Sequence, residues 1–317
     1  MNKVNKMDSK NLDFGKFDFV AKIGLFGGIS LMLTVISLVY LAVRGINYGI
    51  DFKGGTEIQI KFEQPVTIDQ FRSSVEGMKL GEVGVQSIGD ANEYVLRFQG
   101  TQGKTDKETN DLLNLSIAAV KEKINTTFAT QKPEIRRVDT VGPQVGGELK
   151  RNGLLAMFYS LLVILIYVAI RFDYNYSPGA VACLFHDAVI TLAIYVLIGK
   201  EVNIPIMAAI LTLIGFSLND TIVVFDRIRE TEHKYKREGF SFIINKAIND
   251  MLGRTIITSG TVFVTAFCLF AFAGGVVSDI ALALCIGIIF GTYSSIYVAA
   301  PMILITEKLR SKKLVTA

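Results

Sequence analysis

The chain has 317 residues, half of them apolar and 20% charged, with a formal net charge of +4 and a mean hydropathy of +0.42. That balance is too apolar for an ordinary soluble domain. The basic residues flank apolar blocks instead of forming one stripe, which argues for a membrane and against a nucleic-acid partner. Cys183, Cys268 and Cys285 all lie in apolar blocks, and His186 and His233 are the only histidines. No disulfide framework, metal centre or cofactor is therefore expected.

Apolar blocks at 20–43, 153–170, 178–198, 204–225, 256–273 and 280–305 are each long enough to cross a hydrocarbon core about 30 Å thick. Lys3, Lys6, Lys10, Lys16 and Lys22 precede or open the first block. Its length and the poor cleavage site at Leu41-Ala42-Val43-Arg44 mark an uncleaved anchor, not a signal peptide. The expected organisation is an inner tail at 1–19, a first span at 20–43 and an outer domain at 44–151. Five further spans follow within 152–305, with an inner linker at 226–254, before an inner tail at 306–317.

Orientation follows from Lys and Arg in the short loops. Arg227, Arg229, Lys234, Lys236, Arg237, Lys246 and Arg254 fall in one loop, and Lys308, Arg310, Lys312 and Lys313 in the last tail. The short loops of opposite parity hold only Lys200. This bias predicts both termini on the cytoplasmic side.

Within the outer segment, strands are expected at 56–62, 83–88, 94–98 and 134–141, and helices at 68–78 and 106–128, with a turn at Gly89-Asp90. The order β-α-β-β-α-β is that of a ferredoxin-like sandwich. The fold class expected is thus a membrane all-α bundle of six transmembrane helices with an α+β ferredoxin-like periplasmic domain.

Gly49-Ile-Asp-Phe-Lys-Gly54-Gly55-Thr56 approaches a phosphate-binding loop, but Gly55 stands where the lysine is required, and Gly103-Lys104-Thr105 lacks its upstream glycine. Gly54 and Gly55 read as a tight turn into a strand. Gly142, Pro143 and Gly146, in Val141-Gly-Pro-Gln-Val-Gly-Gly147, read as a linker between the outer domain and the second span. A rigid connection and a moving hinge both fit it.

The fourth block ends in Gly215-Phe-Ser-Leu-Asn-Asp-Thr-Ile-Val-Val-Phe-Asp-Arg-Ile-Arg-Glu230. Asp220, beside Asn219 and Thr221, sits in an otherwise apolar span, where a charged aspartate costs roughly 2.5–3.5 kcal/mol. Such a carboxyl faces a bundle interior, and it can exchange a proton when burial and a nearby cation oppose one another. His186 and Asp187 form a second polar pair in the third span. Arg254, at the inner end of the fifth, reaches Asp220 if that helix starts a turn early. Packing roles remain open for Asp187, His186 and Arg254. Gly24 with Gly28, and Gly287 with Gly291, permit close helix contacts within this bundle or with a partner.

Taken in order, Gly49–Gly55, Val141–Gly146, Arg171-Phe172, His186-Asp187 and Gly215–Glu230 resemble the SecF family. That is the smaller subunit of the bacterial SecDF protein-export complex, in the resistance-nodulation-division superfamily. The resemblance runs from Asp13 to the last span, and Phe216 stands where many relatives carry tyrosine. It implies half of a twelve-helix unit completed by SecD, attached to the SecYEG channel and using the proton gradient to assist a translocating preprotein across the inner membrane. It implies Asp220 as proton carrier, Arg254 as its electrostatic partner and Asp187 in the same polar network, with protons as the coupling ion and no catalytic residue. A half of a small-molecule or lipid exporter of the superfamily, and a non-transporting assembly subunit, are the alternative readings.

Overall fold

A computed structural model describes residues 17–78, 80–88, 92–100, 103, 105–171 and 176–307. The expected Gly89-Asp90 turn, Phe172, Lys104, the early lysines up to Lys16 and the basic residues from Lys308 onward lie outside the described residues. Among those described, six helices are long and apolar enough to cross a membrane. They are α1 (Ile23–Arg44), which follows a short 3-10 turn, then α5 (Pro143–Arg171), α6 (Ser177–Leu197), α7 (Ile204–Lys234), α8 (Phe240–Phe272) and α9 (Gly275–Ser294). A π turn over Ser295–Ala299 extends α9, and the apolar helix continues to Glu307.

Between α1 and α5 lie a one-turn helix α2 (Ile50–Lys53), β1 (Gly55–Phe62), α3 (Ile68–Val75), β2 (Val83–Ser87), β3 (Glu93–Phe98), α4 (Asp106–Thr127) and β4 (Pro133–Val141). The four strands form one antiparallel sheet in the order β2-β3-β1-β4. Ile58 faces Leu96 on one side and Val138 on the other, with a register shift at Gln59/Ile60 on the β4 side. Alternation sends Ile58, Ile60 and Phe62 to one face, where they meet Phe71 and Val75 of α3 and Val120 and Ile124 of α4. Both helices therefore cover the same face. Thr67 caps α3 with a reciprocal Gln70 contact, which satisfies two otherwise unpaired backbone donors. Phe62 packs edge-on against Phe71, Tyr94 and Phe128, and the buried Tyr94 hydroxyl donates to the Val66 carbonyl.

In the spanning part, α6, α7 and α9 form the centre. Cys183, Leu184, Ile206, Ile210, Ile214 and Ala299 are among its buried residues. α1, α5 and α8 turn residues such as Leu31, Phe158 and Ile257 outward, as helices facing lipid do.

Three helices, α5, α7 and α8, run well beyond their apolar blocks. α5 starts at Pro143, so the Gly142–Gly146 linker is almost wholly helical, and Gly142 alone separates β4 from α5. Pro143 at a first helical position suits its fixed φ and missing N–H. The expected inner linker at 226–254 is likewise mostly helix. α7 runs on through 226–234, and α8 begins at Phe240. Ion pairs Arg171–Asp226, Arg227–Glu230 and Arg227–Asp250 line this extension. Asn245, fully buried, accepts from the Phe19 backbone N–H and donates to the Phe17 carbonyl, so residues 17–19 lie on α8.

Candidate functional site

Asp220 lies in α7 where that helix faces α8. It is 5% exposed, and its Oδ2 accepts a hydrogen bond of 2.8 Å from the Ser259 hydroxyl. Arg254 is exposed on α8, five residues and therefore about 7.5 Å before Ser259 along the helix axis. Among the described residues no ion pair joins Arg254 to Asp220; its attraction is longer-range. Arg254 lies inside α8 because that helix begins at Phe240, four turns earlier than the apolar block. The immediate partner is thus a neutral hydroxyl. Asn219 points outward from the bundle, whereas Thr221 is buried on the α6 side, with its hydroxyl 3.4 Å from Cys183 Sγ.

Asp187 occupies a different pocket, on the other side of α7. It is 0% exposed, at the middle of α6, and its surroundings are nearly all donors. Ser217 of α7 and Ser294 of α9 both donate to Oδ2, the latter at 2.8 Å, and Cys183 lies 3.8 Å from it. Oδ1 sits 2.8 Å from His186 Nδ1. A carboxylate accepts at both oxygens, so this cluster is close to saturated and ties three helices together. Gly291 leaves the space: a Cβ there would sit 3.3 Å from Ser217 Cβ and 3.6 Å from Asp187 Oδ2. His186 Nε2 is buried with no partner among the described residues, and its ring stacks beside Tyr293.

The glycine motifs meet where the sheet domain joins the spans. Gly54 and Gly55 have φ of 76° and 130°, a region L side chains rarely adopt. A Cβ on Gly55 would fall 2.7 Å from the Phe98 carbonyl, and one on Gly146 would fall 3.0 Å from the Gly54 nitrogen. The corner between α2 and β1 therefore packs directly on the first turns of α5. Gly287 serves this bundle, since its Cβ would lie 2.1 Å from Leu213 Cδ2, whereas Gly24 and Gly28 face open space.

The structure brings together Asp187, Ser217, Ser294 and Thr221 around Cys183, sets His186 on the other oxygen of Asp187, and keeps Asp220 apart with Ser259. Sequence reasoning missed Ser217, Ser259, Ser294 and Cys183. The available signal was hydroxyls at 255, 258, 259 and 261 within one apolar span, but hydroxyls in spans commonly bond their own helix, as Thr258 does to the Arg254 carbonyl. Missed as well was a set of contacts between the sheet domain and the loop after α6. Arg97 of β3 pairs with Glu57 of β1 at 2.7 Å and with Glu201, in the loop between α6 and α7, at 3.3 Å.

Comparison with known proteins adds a second line. The C-terminal model for the protein export membrane proteins SecD/SecF matches residues 120–309, and the SecD/SecF GG motif matches residues 39–66. The protein translocase subunit SecF of Calditerrivibrio nitroreducens is 42% identical over 93% of this chain and 95% of its own length. That of Escherichia coli O157:H7 is 37% identical over 93% of this chain and 88% of its own. A crystal structure of SecDF, a translocon-associated membrane protein from Thermus thermophilus, superposes with a TM-score of 0.80 at 32% identity, covering 92% of this chain and 39% of that one. A super-membrane-facing form of SecDF gives a TM-score of 0.69, covering 95% and 40%. The chain spans about two fifths of the length of those SecDF chains.

Proposed function

Since the chain belongs to the SecF family of protein translocase subunits, we propose that it uses the proton gradient, through Asp220, to assist preprotein export across the bacterial inner membrane. It is a multi-pass membrane protein with SecD as its partner. In this reading both termini are cytoplasmic, the SecYEG channel is the site of attachment, and the sheet domain is periplasmic and ferredoxin-like. The β-α-β-β-α-β order, with both helices on one face, supports that last assignment.

The observation that carries the coupling role is the contrast between the two buried aspartates. Asp187 is held by three side chains on three helices, Ser217, Ser294 and His186, so taking up a proton there has to reorient several groups at once. Asp220 has one hydroxyl partner, and a hydroxyl can donate to a carboxylate or accept from a carboxylic acid. Asp220 can therefore gain and lose a proton with little local rearrangement, and it is the carrier. Asp187 holds the helices that surround it. A proton crossing 100 mV releases about 2.3 kcal/mol, enough to bias a two-state equilibrium more than tenfold.

Asn219 supports the placement of SecD. Its amide is exposed on α7 among apolar positions, beside the equally exposed Gly215 and Thr212. A polar side chain at membrane depth is costly in lipid, and it is expected against protein. The face of α7 carrying these residues is assigned to the SecD half.

The test is Asp220→Asn in inner-membrane vesicles. Stimulation of export by the proton gradient should vanish while co-purification with SecD stays intact. Undiminished stimulation refutes the reading.

A further inference from the structure

The outer domain is covalently joined to the spans through α1 and α5, at 45–49 and at Gly142, yet neither helix carries Asp187 or Asp220. The helices that do are α6 and α7. Their outer connection, 199–203, grips the outer domain at several points. The Gly49 N–H donates to the Val202 carbonyl at 2.8 Å, and the Val202 N–H donates to the Asn47 carbonyl at 2.7 Å. Together they form a parallel bridge between Tyr48 and Val202. Asp51 accepts from the Ile204 N–H at 3.0 Å, on the first turn of α7 beside its Asn203 cap.

The sheet itself is held through Glu201. Arg97 reaches it from β3 at 3.3 Å while keeping Glu57 of β1 at 2.7 Å, and β3 and β1 are the two central strands. Arg97 and Glu201 are only 22% and 21% exposed. They line a cleft of about 260 Å³ with Asp51, Arg137 and Asp139. Lys200, next in the loop, pairs with Asp279 of α9 at 2.7 Å. One short loop thus joins α6, α7 and α9 to the middle of the outer sheet.

We propose that the 199–203 loop, docked by the Arg97–Glu201 ion pair and the Val202 backbone bridge, is the contact through which α6 and α7 carry the outer sheet with them. Arg97 and Glu201 are positioning residues. The outer domain then follows the intramembrane aspartates directly, and the connection at Gly142 only has to yield. The activity arm of this inference rests on the proton-coupled reading above; its geometric arm does not.

The geometry supplies its own probe. A Cβ on Gly49 would lie 3.3 Å from Asn203 Cβ, within a few tenths of an ångström of disulfide spacing. Gly49 has an extended backbone, with φ of −72°, which a cysteine adopts without strain. The pair Gly49→Cys with Asn203→Cys, in full-length chain assembled with SecD and with Cys268 replaced by alanine, is oxidised in vesicles. Near-complete cross-linking is expected, and adding Glu201→Lys, which sets a second cation against Arg97, should lower the yield severalfold. The oxidised protein should keep the gradient-stimulated export of its own reduced form. An unchanged yield with Glu201→Lys overturns the docking role, and loss of stimulation on oxidation overturns movement as one body. Absence of stimulation in the unmodified protein instead refutes the proton-coupled reading and leaves the cross-linking result standing.

Discussion

Ser259 donates its hydroxyl to Asp220 at 2.8 Å, and this bond, not an ion pair to Arg254, is what holds the aspartate between α7 and α8. The distinction has mechanistic weight. Protonating a carboxylate bound tightly to a buried arginine strands an unpaired cation in low dielectric, a costly outcome. Protonating one bound to a serine strands nothing. In the proposed proton cycle the exposed Arg254 would supply a field without losing a bonded partner.

Ser259→Ala should therefore impair coupling without abolishing it. A hydrogen bond to a charged group is worth about 1.5–3 kcal/mol, so gradient-stimulated export should drop about tenfold or more. Asp220→Asn should remove it altogether, and Ser259→Thr, which keeps the hydroxyl, should recover most of it. Initial rates of preprotein translocation into vesicles, with and without a protonophore, read all three.

Asp187 should behave as a stability residue. Replacing it with leucine leaves the Ser217 and Ser294 hydroxyls and the His186 ring buried without their shared acceptor. Each stranded group costs about 1–3 kcal/mol, and the sum should lower the thermal midpoint in detergent and reduce the amount of assembled protein. Asp187→Asn, which keeps an acceptor oxygen for the serines, should lose far less. Equal midpoints for Asp187→Leu and the parent protein would contradict the assignment.

The spans and strands were legible in the sequence because each depends on local pattern. Apolar runs mark lipid depth, and alternation marks the sheet: β1 was expected at 56–62 and is found at Gly55–Phe62. Helix ends were not legible where charged residues continue a helix beyond the membrane, as at 226–234, or where a proline opens one, as at Pro143. Asp220 announced itself because an acid in an apolar span is conspicuous. Ser259 did not, because serine is cheap there and its partner lies 39 residues away in the chain. The same distance problem hid Arg97–Glu201, whose members look like ordinary surface charges until the fold sets them together. The two glycine pairs were equivalent in sequence, and only packing separates Gly287 and Gly291, inside the bundle, from Gly24 and Gly28, on its surface.

That separation is testable by adding atoms. At Gly287 a side chain meets three carbons of Leu213 within 2.7 Å, so Gly287→Val overpacks α7 against α9, at a cost of about 1–3 kcal/mol. Gly24→Val meets nothing within 4 Å, and should leave the unfolding midpoint of the isolated chain unchanged. Gly55→Ala should also destabilise, because φ of 130° and the Phe98 carbonyl at 2.7 Å both oppose it. Unfolding of purified chains in detergent ranks the three.

The last prediction concerns pH at the contact between the sheet and the 199–203 loop. Burial in the contact with the sheet pushes the Glu201 carboxyl above the ordinary glutamate range, against the attraction of Arg97 and with the help of repulsion from Glu57. A group whose affinity for a proton is higher in the docked form makes docking take up a proton. Mild acid therefore favours the docked loop, and that contribution fades as pH rises through the docked midpoint. The carboxyl resonance of Glu201 should titrate above about 4.3, the value of a free glutamate. Glu57→Gln should lower the midpoint by removing repulsion, and Arg97→Met should raise it by removing attraction. Protection of the Val202 amide from exchange, corrected for the intrinsic rate, should weaken as pH climbs through the same midpoint and lose that dependence in Glu201→Gln. A Glu201 midpoint at or below the free value would mean that the ion pair outweighs burial, and docking would then loosen in acid instead.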